Sequence, residues 1–255
     1  MSFKVFIKKF NKLILDTLFP IQCISCKKIN YWICDQCLNE VTIKNKQVCP
    51  ICEKIITPDG QTCFSCKTKH SIDGLLVALD YKENPVIDKA IHYFKYRFVK
   101  DLHAPLGKII TKTILKSSSK IPDLIIPIPL HQKRLRWRGF NQSELLCKDI
   151  SKNISPNLGV TISSTNLIRK KNTTSQMEIK SYQKRKLNLK NAFVVKNPSE
   201  IKNKRILLID DITTTGSTIF ECATALKKCG AKEVFGIVLA RKKFKSSSSE
   251  NLRIP

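Results

Sequence analysis

Apolar positions recur along the chain with two different periods. Within residues 3–19 (FKVFIKKFNKLILDTLF), Phe3, Phe6, Ile7, Phe10, Leu13, Ile14 and Leu18 fall at helical spacing, with Lys4, Lys8, Lys9 and Lys12 between them. Pro20 stops that helix. A basic amphipathic helix either lies on an anionic membrane face or packs its stripe against the rest of the chain. Residues 23–66 show no long periodic segment. From 71 to 244, strand-like and helix-like stretches alternate. Residues 75–81 (LLVALDY) predict a strand, and 85–98 and 102–115 predict helices. The run 124–130 (LIIPIPL) predicts a strand whose end leaves the sheet as a loop, because Pro127 and Pro129 cannot donate to a ladder. Residues 141–154 predict a helix with Asn141 as N-cap. Short strands are predicted at 166–168 and 192–195, and a buried strand at 205–211. A helix over 217–229 stops at Gly230, and 234–240 forms the last strand. Strands alternating with helices predict an α/β fold with a largely parallel sheet flanked by helices. The expected division is a basic helix (1–22), a small cysteine-rich domain (23–70), an α/β domain (71–244) and a disordered, serine-rich tail (245–255).

Composition adds charge and location. The 255 residues are 42% hydrophobic, which fits a folded globular chain. No apolar run reaches the ~18 residues of a membrane-spanning helix, and no uninterrupted apolar segment precedes a small-residue cleavage site. The expected location is the cytoplasm, with the inner membrane surface as a peripheral alternative. The net charge is +26, from 46 Lys+Arg against 20 Asp+Glu, which favours polyanionic partners. Nine of those cations are arginines. A lysine-heavy chain can arise from base composition alone, so the placement of the arginines is the more informative signal. Three of the nine, Arg134, Arg136 and Arg138, fall within five residues.

Eight of the eleven cysteines form four Cys-x-x-Cys pairs: Cys23/Cys26, Cys34/Cys37, Cys49/Cys52 and Cys63/Cys66. Two intervening residues let a tight turn aim both sulfurs at one point, and two such turns complete a tetrahedral four-thiolate site. Eight ligands fit two structural Zn²⁺ ions, paired sequentially or interleaved. An iron–sulfur cluster and redox dithiols are the rivals. With every position filled by a thiolate, such a site has no open place for catalysis, and it staples a segment too small to fold alone. Cys147, Cys222 and Cys229 sit in helical apolar patterns and read as core.

The apolar strand ILLI runs into Asp210 and Asp211, then Ile212, then Thr213, Thr214, Thr215, Gly216, Ser217 and Thr218, and then a helix. Parallel sheets bind ligands at the carboxyl ends of their strands. A hydroxyl-rich turn with a glycine, opening a helix, offers N–H groups, hydroxyls and the positive dipole end to a phosphate monoester. Two adjacent carboxylates can accept from vicinal sugar hydroxyls near a bound Mg²⁺. No GxxxxGK[ST] and no GxGxxG is present. This string closely resembles the phosphoribosyl-pyrophosphate (PRPP) motif of the type I phosphoribosyltransferases. The likeness implies that Asp210 and Asp211 contact the ribose hydroxyls and that residues 213–218 hold the 5-phosphate.

Residues 127–142 read PIPLHQKRLRWRGFNQ. The segment reads as a loop carrying His131, Arg134, Arg136, Trp137, Arg138 and Phe140. Arginine matches phosphate oxygens as a fork, and interleaved aromatics can stack on unpaired bases. The plainer reading is a solvated basic loop with Trp137 and Phe140 capping the core, and His131 as an ordinary loop residue.

Paired cysteines, then this stretch, then the Asp-Asp-Ile-Thr loop together resemble the ComF family from about Pro20 to Lys243. Further similar stretches are FKYR at 94–97 and the run from Arg169 through Thr174 and Gln176 to Arg185, followed by Asn191, Ala192 and Phe193. The resemblance implies a type I phosphoribosyltransferase-like sheet behind a double zinc ribbon, PRPP bound with Mg²⁺, and a loop after Leu130 that faces the pyrophosphate. It also implies single-stranded DNA as partner during natural transformation, beside the DNA-uptake machinery. The alternatives are an active phosphoribosyltransferase on an unidentified base or amine, for which no acceptor site is legible, and a membrane-associated adaptor using residues 3–19.

Overall fold

The computed structural model describes residues 20–81, 83–118, 120–154, 160–171 and 189–242. The expected helix over 3–19, the tail, and Thr174, Gln176 and Arg185 lie outside them. Among the described residues no helix is long and apolar enough to cross a membrane.

Seven strands and seven α-helices follow one another along the described chain. They are α1 (Asp35–Asn39), α2 (Phe64–Lys67), β1 (Gly74–Asp80), α3 (Pro85–Tyr96), α4 (His103–Lys116), β2 (Leu124–Pro127), α5 (Gln132–Arg138) and α6 (Gln142–Ile154). Then come β3 (Thr161–Ile162), β4 (Leu167–Arg169), β5 (Phe193–Val195), β6 (Arg205–Thr213), α7 (Ser217–Lys228) and β7 (Glu233–Arg241). Five strands pair in parallel in the order β1-β7-β6-β2-β3, and β4 and β5 form a separate antiparallel ribbon.

The central strands read as near-continuous apolar runs because both faces of the sheet are covered. On one face Leu207 and Ile209 of β6 pack with Ile87, Ile91 and Phe94 of α3, Leu106 and Ile110 of α4, and Leu146 and Ile150 of α6. On the other, Ile206 and Leu208 pack with Ile219, Cys222, Ala223 and Leu226 of α7 and with Phe193 and Val195 of β5. Cys147 and Cys222 are fully buried, which pushes both thiols well above their ordinary pKa. Cys229 departs from expectation, because it is only partly buried at the edge of this core.

Edge strand β1 would leave a row of unpaired backbone groups. The cysteine-rich segment covers it. The Gln47 amide donates to the Val77 carbonyl at 3.0 Å and accepts from the Val77 N–H at 3.1 Å, while the Lys44 N–H donates to the Ala78 carbonyl at 2.8 Å. Lys44 also pairs with Asp80.

Four elements differ from the sequence expectation. The arginine stretch is a helix rather than a loop. His131 caps α5, its Nδ1 accepting from the Lys133 N–H at 3.3 Å, and Gly139 ends it in a left-handed conformation (φ 74°). The apolar positions of QKRLRWR are too few to signal a helix, so only its caps mark it. β3 is too short to show a period, and its pairing with Leu124 and Ile125 defines it. Helices α1 and α2 begin directly after Cys34 and Cys63.

Candidate functional site: two four-cysteine sites and an acidic–basic cleft

The four cysteine pairs gather sequentially. The Sγ atoms of Cys23, Cys26, Cys34 and Cys37 lie within 4.8 Å of one another, as do those of Cys49, Cys52, Cys63 and Cys66. A tetrahedron of sulfurs ~2.3 Å from zinc has edges of ~3.8 Å, so both sets fit the ion. Each site is built the same way. The first knuckle closes with the N–H of a left-handed residue donating to the first cysteine's carbonyl: Lys27 (φ 66°) to Cys23 at 3.1 Å, and Glu53 (φ 56°) to Cys49 at 3.0 Å. The third cysteine then starts a short helix, and its N–H donates to the first sulfur: Cys34 to Cys23 and Cys63 to Cys49, both at 3.4 Å. Such N–H···S bonds fix the orientation of the first sulfur at the point the four cysteines share. The first site is built into the core, where Cys23, Cys34 and Cys37 join Ile33 and Val41 against the α3–α4 layer.

The second assembly lies at the carboxyl ends of β6 and β2. Strand β6 runs past both aspartates to Thr213, two residues beyond the expected end. Asp211 is buried and pairs with Lys95 of α3 at 2.8 Å. Asp210 accepts from the Ser143 hydroxyl of α6 at 3.0 Å. Ser143 is held there because Asn141 caps α6, its Oδ1 accepting from the Ser143 N–H at 3.1 Å. Desolvation of the Asp210 carboxyl, then the Asp211 charge, push Asp210 up to about 7.

The helical arginines divide. Arg138 is half-buried near Tyr96, Asp210, Asp211 and Arg134, and burial lowers its pKa, although a guanidinium stays charged. Its Nη1 donates to Gln142 at 2.9 Å, while its buried Nε meets no acceptor. Arg169 of β4 approaches the same place, its pKa lowered by burial and by Arg134 and opposed by Asp210. Arg136 is exposed. Trp137 is 63% exposed, stacked edge-on to Phe98 at 5.2 Å and beside the Arg138 guanidinium at 5.9 Å. Phe140 corrects the expectation of a ligand contact: it is buried against Phe94, ring centroids 5.8 Å apart, and cannot stack on a base. His131 spends Nδ1 on its cap.

Beyond Asp211 the chain turns through residues 213–217. Thr213, Thr215 and Ser217 are buried, and the Thr215 and Ser217 hydroxyls lie 2.7 Å apart. Gly216 has φ 79°, and a Cβ there would sit 2.3 Å from the Phe220 ring, so any other residue would be strained and would have to displace that ring. Two carboxylates, Lys95 and three arginines thus meet beside a hydroxyl-lined turn that opens a 12-residue helix. The carboxylates, the turn, Arg134 and Arg138 are legible in the sequence. The roles of Lys95, Ser143 and Arg169 are not: Lys95 and Arg169 are signalled only by their place in the FKYR and Arg169 stretches, and Ser143 lies just past the 127–142 segment. A separate cavity of about 620 Å³ opens among Asp73, Arg205, Glu233 and Phe235, at the amino ends of the strands, and no predicted site residue lines it.

A double zinc ribbon domain model matches residues 14–70, and a phosphoribosyl transferase domain model matches residues 146–251. The chain is 30% identical over 234 residues to competence protein F of Haemophilus influenzae, covering 88% of this chain and 98% of that protein. The chain belongs to the ComF family. It is also 30% identical over 224 residues to the DNA utilization protein YhgH of Shigella flexneri, covering 84% of this chain and 94% of that protein. With competence protein ComFC of Bacillus subtilis it shares 26% identity over 215 residues, 82% of this chain and 84% of that protein. Its fold is therefore a phosphoribosyltransferase-type α/β sheet behind two cysteine-rich zinc-ribbon sites.

The raised Asp210 gives the ComF-type cleft a pH signature. The folded state holds that proton to a higher pH than the unfolded chain, so the stability it contributes is complete below the ordinary carboxylate range and is lost as pH climbs through about 7. The melting temperature of the ligand-free protein is expected to fall between about pH 5.5 and 8 more steeply than that of Asp210→Asn. Parallel curves from calorimetry at both pH values would contradict this.

Proposed function

We propose that this protein binds PRPP with Mg²⁺ in the cleft at Asp210 and Asp211 and handles single-stranded DNA during natural transformation, beside the DNA-uptake machinery. The observation that carries the reading is the convergence of two carboxylates and four cations on one hydroxyl-rich turn. In this reading the carboxylates accept from the ribose 2- and 3-hydroxyls near the metal, and the turn from Thr213 to Thr218 holds the 5-phosphate. Arg134 and Arg138 face the pyrophosphate, and the buried Arg138 Nε supplies a donor for it. The competence and DNA-utilization names of the relatives support the nucleic-acid role. The exposed Trp137, beside the Arg138 guanidinium and on the helix that carries Arg134 and Arg136, offers a stacking platform with flanking charge.

The second reading is catalysis of phosphoribosyl transfer to a base or amine. Calorimetric titration with PRPP and Mg²⁺ tests the ligand, and a screen for pyrophosphate release against candidate acceptors, with and without DNA, separates binding module from enzyme. For DNA, Trp137→Ala is expected to cost about 1–3 kcal/mol per stacked base. Arg134→Ala/Arg136→Ala/Arg138→Ala is expected to flatten the salt dependence by about 0.7 in the log–log slope for each phosphate the protein no longer neutralises. Unchanged affinity of both variants at fixed salt would remove helix α5 from the DNA-binding surface.

A further inference from the structure

We propose that Arg241 is a positioning residue that sets the turn at 213–217 for its anionic ligand, and that it does so only while the second four-cysteine site is folded around its metal. The proposal rests on reading that turn as the phosphate-binding loop. Arg241 ends β7 and lies in register with Thr213 of β6. Its side chain is 9% exposed. Nε donates to the Thr214 carbonyl at 3.2 Å, and Nη2 reaches the Thr215 carbonyl at 3.4 Å. On its other side, Nη1 donates to the Pro50 carbonyl at 2.9 Å and Nη2 to Glu53 Oε1 at 2.7 Å. Pro50 sits between Cys49 and Cys52, and Glu53 closes their knuckle. One guanidinium thus joins the metal knuckle to the turn.

Peptide planarity makes this contact directional. All described peptide bonds are trans, so a carbonyl and the N–H of the following residue point in opposite directions within the peptide plane. With the Thr214 and Thr215 carbonyls drawn onto Arg241, the N–H groups of Thr215 and Gly216 face away from it. Successive N–H groups facing one way are what an anion-binding turn requires. The knuckle in turn depends on the metal. Glu53 holds a left-handed conformation (φ 56°) that favours glycine, and the four sulfurs lie within 4.8 Å of one another, the spacing that one shared cation sets. Without a cation between them the knuckle opens, and Arg241 is left without Pro50 and Glu53. Both of those acceptors belong to the second site, so the control is assigned to that site and not to the first.

The test uses the full chain with its zinc. Hydrogen exchange at residues 214–217 is followed in the ligand-free protein, and PRPP·Mg²⁺ affinity is measured by calorimetry, for wild type, Arg241→Gln, Glu53→Ala and Cys52→Ser. Elemental analysis gives the zinc content of each. Arg241→Gln is expected to keep both zincs, to exchange its turn amides at least tenfold faster, and to bind PRPP about tenfold more weakly. Glu53→Ala, which removes one partly exposed acceptor and leaves the fold intact, should show a smaller change of the same sign. Cys52→Ser should lose one zinc and reproduce the Arg241→Gln exchange pattern. Wild-type exchange and affinity in both Arg241→Gln and Glu53→Ala would overturn the proposal. Zinc loss in Cys52→Ser without faster exchange would overturn its metal dependence. Faster exchange in a protein whose wild type binds no PRPP would uphold the brace and sink the ligand reading.

Discussion

Asp210→Asn/Asp211→Asn is expected to abolish measurable PRPP binding, weakening it at least a hundredfold, while the chain still folds. Each hydrogen bond to a charged acceptor contributes about 1.5–3 kcal/mol, so losing two costs about 3–6 kcal/mol. That corresponds to roughly two to four powers of ten in Kd. The two substitutions differ in what they do to the ligand-free protein. Asp210→Asn removes a desolvated carboxyl that repels Asp211, so it should raise stability above pH 7. Asp211→Asn leaves Lys95, whose side chain is only 18% exposed, without its ion-pair partner at 2.8 Å. Breaking a buried pair from one side is destabilising, so the single Asp211 variant should melt lower. A melting curve therefore separates lost binding from lost fold. Asp210→Asn is the cleaner probe, because it should bind poorly while melting higher. Wild-type affinity in both the single and the double variant would mean that the carboxylates do not touch the ligand.

The parts of this site that the sequence reveals are local ones. ILLI is legible as a strand because a doubly covered parallel strand needs apolar residues in succession, and β6 carries them into two opposite cores. Eight cysteines at fixed spacing are legible because one turn geometry serves each pair, and the structure resolves their pairing as sequential. The cleft's partners are not local. Lys95, Ser143 and Arg169 reach Asp210 and Asp211 from three different elements, and nothing in the spacing of a lysine on α3 marks it as facing a strand so much later in the chain. Phe140 shows the converse. An aromatic among arginines reads as a stacking residue, yet the chain turns after Gly139 and delivers it to Phe94. Trp137, earlier on helix α5, stays outside. The difference is set by the caps of α5, His131 and Gly139, rather than by the character of either ring. Arg241 is legible only as the end of a strand, since two of its acceptors come from the cysteine-rich segment at the far end of the chain and two from the turn.

Chelating the metal is expected to remove about two zincs per chain and to unfold residues 20–70 ahead of the sheet. Apparent binding free energies of structural zinc run to ~10–16 kcal/mol, comparable to the ~5–15 kcal/mol that stabilises a whole domain. A ribbon with almost no strand pairing of its own has nothing to replace that, beyond isolated bridges such as Gln22 to Ile29 and Val48 to Ile56. The loss also reaches the sheet. Cys23, Cys34, Cys37, Ile33 and Val41 leave the core they share with α3 and α4, and Gln47 and Lys44 release the edge of β1. An uncovered parallel edge invites pairing with another chain. Chelated protein should therefore show a first transition well below that of the zinc-loaded form, faster hydrogen exchange at residues 77–79, and aggregation that grows with concentration. Elemental analysis that finds iron or no metal would refute zinc as the occupant. Removal of two zincs with unchanged melting would show that the ribbons are held by the core rather than by the ions, and that β1 keeps its cover without them.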